Sequence, residues 1–180
     1  MRLFYALWPD AQVREHLAGA AAALRLGCDV RRIPCGNFHV TLKFIGEIAA
    51  SHLPVLRRIG DAQRALECTV TFDAYEFWPE PHVVAVVARE SPAALVELST
   101  QLHRALSLSG AVPPNERPLR PLRPHVTLAR KVAQAPVLEA LSPIPWNVRS
   151  FSLVSSDTSA VQSVYTVVDT WPLLYEKPQS

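Results

Sequence analysis

The tetrapeptide His-Val-Thr-Leu occurs twice in this chain, at His39–Leu42 and again at His125–Leu128. From position 39 to position 125 the interval is 86 residues, close to half of the 180. A period that long does not suit a solenoid and points to two similar halves. The flanks repeat as well. Leu3–Trp8 reads as a strand, Asp10 as the N-cap of a helix with Val13, Leu17 and Leu24 on one face, and Phe38–Ile45 as a strand holding the first motif. His82–Ala88 then reads as a buried strand, and Ser91-Pro92 as a helix opening with a serine N-cap. Leu95, Leu98, Leu102 and Leu106 form that helix's apolar stripe, Gly110 suits its end, and Pro124–Arg130 is the strand holding the second motif. Strand, helix and motif strand are spelled twice.

Between these units, Ser51 suits the cap of a helix with Leu53, Leu56 and Ile59 inward, and Thr69–Trp78 reads as a strand. Trp146–Ser155 and Gln162–Asp169 supply further strands. The expected fold is α+β: a bilobal pseudo-two-fold repeat of strand-helix-strand units, with antiparallel sheets flanking a central cleft. One bilobal domain over 1–180 is expected, with halves near 1–80 and 81–180 and strands free to cross between lobes. Apolar residues make up 49%, enough for a substantial core. No apolar run approaches the roughly 20 residues of a membrane span. The opening MRLFYALWPD is too short and too soon interrupted for a signal peptide. Cys28, Cys35 and Cys68 have neither CxxC spacing nor an even count, which fits a reducing compartment, so a cytoplasmic protein is expected.

Side chains alternate faces along a strand. His39, Thr41 and Lys43 therefore share one face and Val40, Leu42 and Phe44 the other, as His125 and Thr127 stand opposite Val126 and Leu128. One face seals a core; the other offers an imidazole beside a hydroxyl. Histidine titrates near neutral pH, so one ring can accept a proton while the other donates. Threonine hydroxyls and Lys43 can hold an anionic oxygen. Phosphoester cleavage needs this set. A single HxT strand reads equally well as an edge histidine with a satisfied hydrogen bond, and it is the matched duplication that favours chemistry. No metal is called for, since HxH, HExxH and acidic companions at ligand spacing do not occur, and neither does a GxSxG elbow, Walker loop or GxGxxG. No cofactor is expected.

HVTLKFIG and HVTLAR resemble the paired HxTx motifs of the two-histidine (2H) phosphoesterases, most nearly the bacterial and archaeal RNA 2′,3′-cyclic phosphodiesterases, also called 2′-5′ RNA ligases. RLFYALWPD ahead of a helix, NFHVTLKFIGE, RPHVTLAR and SFSLVSSDTSAVQSVYTVVDTWPL carry the likeness over essentially the whole chain. A departure is Val161-Gln162, where many relatives are glycine-rich. The resemblance implies a bilobal α+β fold around a water-filled cleft, with no metal required. It implies His39 and His125 as the catalytic pair, Thr41 and Thr127 as their companions, and Arg130 as a phosphate contact. Strict alternation instead sends Arg130 to the core side with Leu128. The implied activity is the opening of terminal 2′,3′-cyclic phosphates on RNA to 2′-phosphates by a monomer, with RNA ends or 2′,3′-cyclic nucleotides as partners. Run backwards, it joins two ends through a 2′-5′ linkage. His125 is read as the base that activates water and His39 as the acid for the departing 3′-oxygen, and pseudo-symmetry leaves the reverse open. The alternative is a non-catalytic module that binds RNA ends.

Residues 117–124 read RPLRPLRP, with arginine every third position. Polyproline II has three residues per turn, so Arg117, Arg120 and Arg123 would line one face leading to His125. The stretch reads as a basic rail for an RNA backbone, as a PxxP ligand of an SH3-like domain, or as a stiff solvated loop.

Overall fold

The computed structural model describes residues 1–111, 121–157 and 164–175. Its first half runs β1 (Arg2–Leu7), α1 (Ala11–Ala23), β2 (Arg31–Arg32), β3 (Val40–Glu47), α2 (Leu53–Asp61), β4 (Cys68–Phe72) and β5 (Ala74–Trp78). The second half runs β6 (Val83–Val87), α3 (Ala93–Ser109), β7 (His125–Arg130), β8 (Ile144–Val148), β9 (Ser150–Asp157) and β10 (Val164–Pro172). One antiparallel sheet has the order β10-β9-β1-β3, a second has β2-β7-β6-β5, and β4 and β8 form a separate ribbon. Each half lends strands to the other's sheet: β9 pairs with β1 and carries β10 on its far side, and β2 joins β7.

Local chemistry explains most boundaries. Asp10 caps α1 by accepting from the Val13 amide at 2.9 Å, and Val13 and Leu17 face the core. Leu24 is buried too, but stands just past the last turn. The stripe Leu95, Leu98, Leu102 and Leu106 of α3 is almost completely shielded, and Gly110 ends the helix at φ 65°, a conformation glycine adopts without strain. Two expected caps are corrected. Pro92, at φ −56° and ψ 132°, is itself the extended N-cap of α3, and its carbonyl accepts from Leu95 and Val96, so the helix starts at Ala93, one residue later than a Ser91 cap would place it. A 3₁₀ turn at Ala50–His52 takes up Ser51, and α2 starts after it without a side-chain cap.

Two expected strands each divide in two. Thr69–Trp78 breaks at Asp73, and Trp146–Ser155 breaks at Arg149. In both places the chain leaves the β4–β8 ribbon for a main sheet, so partners change while the alternating pattern continues.

The two motif strands correspond. β3 pairs with β1 as β7 pairs with β6, and both pairs carry a register shift at the same place, β3 having a second one at Ile45. Thr41 lies opposite Ala6 and Lys43 opposite Tyr5, with Leu42 skipped; Thr127 lies opposite Ala85 and Ala129 opposite Val84, with Leu128 skipped. Each skipped leucine is the extra residue of a β-bulge, whose carbonyl is left out of the ladder. Both carbonyls find donors elsewhere: the buried Ser99 hydroxyl bonds Leu42 at 3.0 Å, and the Ile33 amide bonds Leu128 at 2.8 Å. The main core lies behind the sheets among the helices, while Phe4, Ala6 and Val154 form one small cluster and Val83, Ala85 and Val87 another.

Candidate active site

Both motif histidines sit at the mouth of a bulged strand, and both are tethered alike. His39 Nδ1 lies 2.7 Å from the Asn37 carbonyl and His125 Nδ1 lies 2.8 Å from the Arg123 carbonyl. A carbonyl only accepts, so each Nδ1 carries the hydrogen, and in the neutral ring Nε2 is the free base. His39, Thr41, His125 and Thr127 line one cavity of about 370 Å³. Ala6 and Ala85, opposite the two threonines, are fully buried and small, which leaves the hydroxyls uncrowded. Among the described residues no hydrogen bond engages either threonine hydroxyl, so both are available as donors.

The bulges decide which neighbours join this group. After a bulge the alternation restarts one residue out of step. Arg130 therefore lines the cavity with His125 and Thr127, while Leu128 and Ala129 both turn into the core. Alternation alone would bury Arg130; the resemblance sends it to the cleft, where it stands. The same bulge corrects Lys43. Expected beside Thr41, it points the other way, its Nζ 2.6 Å from Nδ1 of His103 on α3. Its place on the cleft goes to Phe44, the counterpart of Arg130, 58% exposed with its ring 5.8 Å from Phe4.

The surroundings of the two rings differ. Trp8 stacks on His39 at 5.5 Å and 8°, with Phe4 and Tyr165 closing round it at 5.0 and 5.1 Å. Burial lowers the His39 pKa to about 4, the Asn37 carbonyl offsetting part of the loss and the charges of His125 and Arg130 adding to it. The Trp78 ring meets His125 edge-on at 4.8 Å. Burial lowers its pKa too, as do Arg123 and Arg130, while the Arg123 carbonyl and the Glu76 carboxylate raise it. Glu76 clasps these parts together. It takes both arms of the Arg123 guanidinium and accepts from Trp78 Nε1 at 2.9 Å, so it fixes both residues that touch His125.

That clasp bears on the arginine–proline stretch. Arg123 pairs with Glu76, and its carbonyl orients His125, so it already has partners within the fold. Arg117 and Arg120 lie outside the described residues, as does Val161-Gln162. The basic lining of the cleft comes from Arg2, Arg31, Arg32 and Arg130, and no carboxylate stands with them among the described lining residues. Sequence reading missed the first three. Arg31 and Arg32 reach the site because β2 pairs with β7, Arg31 opposite Arg130 and Arg32 opposite Ala129, a pairing that the local pattern does not announce. Arg32 is occupied by the end of α1, donating to the Ala21 and Leu24 carbonyls at 2.6 and 2.8 Å. Among the described residues no three His, Cys, Asp or Glu side chains gather in a metal-binding group, and no helix is long and apolar enough to cross a membrane.

Comparison with known proteins agrees with this architecture. The profile of the 2′-5′ RNA ligase superfamily matches residues 9–160. The RNA 2′,3′-cyclic phosphodiesterase of Thermus thermophilus is 30% identical over 182 residues, spanning 96% of this chain and 90% of that one. The protein of the same description from Escherichia coli is 29% identical over 177 residues, spanning 96% of each chain. The crystal structure of E. coli LigT complexed with 3′-AMP superposes with a TM-score of 0.86 at 28% identity, covering 96% of this chain and 97% of that one. With two HxT strands facing one cleft and the profile matched over most of its length, the chain belongs to the 2′-5′ RNA ligase superfamily.

Proposed function

We propose that this chain hydrolyses the 2′,3′-cyclic phosphate at the end of an RNA to a 2′-phosphate and a free 3′-hydroxyl. The observation that carries the proposal is the duplicated set: two Nε2 atoms, two uncommitted threonine hydroxyls and Arg130 on one cavity. The names of the E. coli and T. thermophilus relatives supply the substrate class. His125 takes a proton from the attacking water, and His39 gives one to the departing 3′-oxygen. His39, enclosed by three aromatic rings, is shielded from solvent and suits the group that meets only the leaving atom. Thr41, Thr127 and Arg130 hold the non-bridging oxygens as negative charge builds on them. In the free enzyme burial lowers the pKa of both rings. The bound phosphate anion raises the His39 pKa and so favours the productive form. The exposed Phe44 ring is a surface on which the terminal base can stack. With the 5′-hydroxyl of a second RNA in place of water, the same proton transfers open the ring onto that hydroxyl, breaking the bond to the 3′-oxygen and joining the two ends through a 2′-5′ bond. Both motifs lie in one chain, so a monomer suffices.

The test is turnover of 2′,3′-cyclic mononucleotides and of an oligonucleotide with a cyclic-phosphate end, in EDTA, with the position of the product phosphate identified. A 2′-phosphate product, and losses of about 10²–10⁴-fold in His39→Ala and in His125→Ala, are expected. Binding of the oligonucleotide without turnover would support a non-catalytic end-binding module, and loss of activity restored by a divalent ion would make it a metal enzyme.

A further inference from the structure

The cleft carries more positive charge than one cyclic phosphate can neutralise. Of its four arginines, Arg32 is held by carbonyls of α1 and Arg130 is assigned above to the reacting phosphate. Arg31 remains. It stands directly opposite Arg130 in the β2–β7 ladder, and directly opposed residues project from the same face about 5 Å apart. Like charges in that position destabilise a sheet. Among the described residues no ion pair offsets the two: Arg57–Asp169, Arg89–Asp73 and Arg123–Glu76 do not reach Arg31 or Arg130. β2 is two residues long, at the edge of its sheet, and both of its arginines are exposed. Among the described residues, then, an unpaired guanidinium stands beside the reacting centre.

We propose that Arg31 forms a second phosphate subsite, which takes the phosphodiester joining the terminal nucleotide of an RNA to its predecessor. The proposal rests on the hydrolase reading above and adds a specificity to it. Arg130 holds the phosphate that reacts, Arg31 the one before it, and the enzyme prefers RNA chains to cyclic mononucleotides, which lack that group. Guanidinium suits the role because its planar fork donates two parallel hydrogen bonds to the two non-bridging oxygens of a phosphodiester. Each substrate phosphate also relieves the Arg31–Arg130 repulsion. Arg31 is distant in sequence from the second motif and reaches the cleft through the sheet.

Arg31→Ala, Arg31→Lys and Arg130→Ala are assayed on a 2′,3′-cyclic mononucleotide and on a tetranucleotide ending in a 2′,3′-cyclic phosphate, over a range of KCl. Arg31→Ala should raise the KM for the tetranucleotide about tenfold and leave the mononucleotide within twofold, with Arg31→Lys between. Its log–log salt dependence on the tetranucleotide should flatten by about 0.7, the share of one phosphate contact on a single strand. Arg130→Ala should impair both substrates. Arg31→Ala should also melt no lower than the wild type, because a repulsion is removed. Equal loss on both substrates, no loss on either, or a lower melting temperature overturns the subsite. If the wild type turns over neither substrate, the hydrolase reading falls by itself. Binding of a tetranucleotide ending in a 2′-phosphate, followed by anisotropy, then decides Arg31: an unchanged salt slope in Arg31→Ala rejects it.

Discussion

Replacing His39 with glutamine should make the protein more resistant to acid. Burial among Trp8, Phe4 and Tyr165 lowers the pKa of the ring from 6.5 to about 4 in the folded chain. Unfolded, the same ring titrates at its ordinary value. Between those two pH values the unfolded chain binds a proton that the native one refuses, so native stability falls as the pH drops through the window. The slope is about 1.4 kcal/mol per unit, and the whole interval is worth about 3 kcal/mol. Glutamine keeps a polar head near the Asn37 carbonyl but does not titrate. Urea unfolding of both proteins at pH 7 and pH 4 measures the effect, and carboxylate contributions cancel because they are shared. The stability difference between variant and wild type should move toward the variant by about 3 kcal/mol. A difference that stays constant within 1 kcal/mol would mean that His39 is open to solvent, and the desolvated ring proposed as catalytic acid would have to be abandoned.

Because both histidine pKa values lie below 6.5, kcat/KM should peak on the acid side of neutrality and be at least about tenfold lower at pH 7.5, where the second ring has lost its proton; a plateau reaching pH 8 would contradict this. Glu76→Gln should lower kcat and move the alkaline limb to lower pH, with KM nearly unchanged, since the carboxylate raises the His125 pKa and fixes Arg123 and Trp78. A profile that keeps its position would make the clasp merely structural. Lys43→Ala should keep turnover within twofold, because the ammonium faces His103 and not the cleft; a hundredfold loss would refute that placement. Ser99→Ala should destabilise the fold by about 1–3 kcal/mol in urea titrations by orphaning the buried Leu42 carbonyl, and an unchanged midpoint would show that another donor replaces it.

The repeat was legible because HVTL is spelled identically in strands that take identical bulges, and the helices because Val13, Leu17 and the α3 leucines keep a clean period. The bulges were not legible. Leu42 and Leu128 look like ordinary core positions in an alternating strand, and what lifts each out of register is a ladder on another strand together with a donor from Ser99 or Ile33. That one irregularity accounts both for Lys43 turning away from the cleft and for Arg130 turning toward it. Asp73 and Arg149 were missed for a related reason: alternation reports which face is buried, not which strand lies alongside. Arg31 depends on a long-range pairing and carries no local mark at all.

Duplication alone cannot give this site a direction. A 2′,3′-cyclic phosphate has two bonds to break, and a strictly two-fold cleft would accept it in two orientations, releasing the 3′-oxygen in one and the 2′-oxygen in the other. A single product needs residues that differ at equivalent positions, and the bulged strands supply them. Phe44 and Arg130 occupy the same place in the repeat, one an exposed ring and the other a guanidinium, so the proposed mechanism sends the base and the phosphate to opposite walls. Beyond Arg130 the sheet adds Arg31, while beyond Phe44 it adds Phe4, which sharpens the same division. The histidines follow suit, His39 stacked in an aromatic cage and His125 held from behind by the Glu76–Arg123 clasp. In the proposed mechanism the two imidazoles move the protons and the two hydroxyls hold the charge, and the asymmetric parts choose which oxygen leaves.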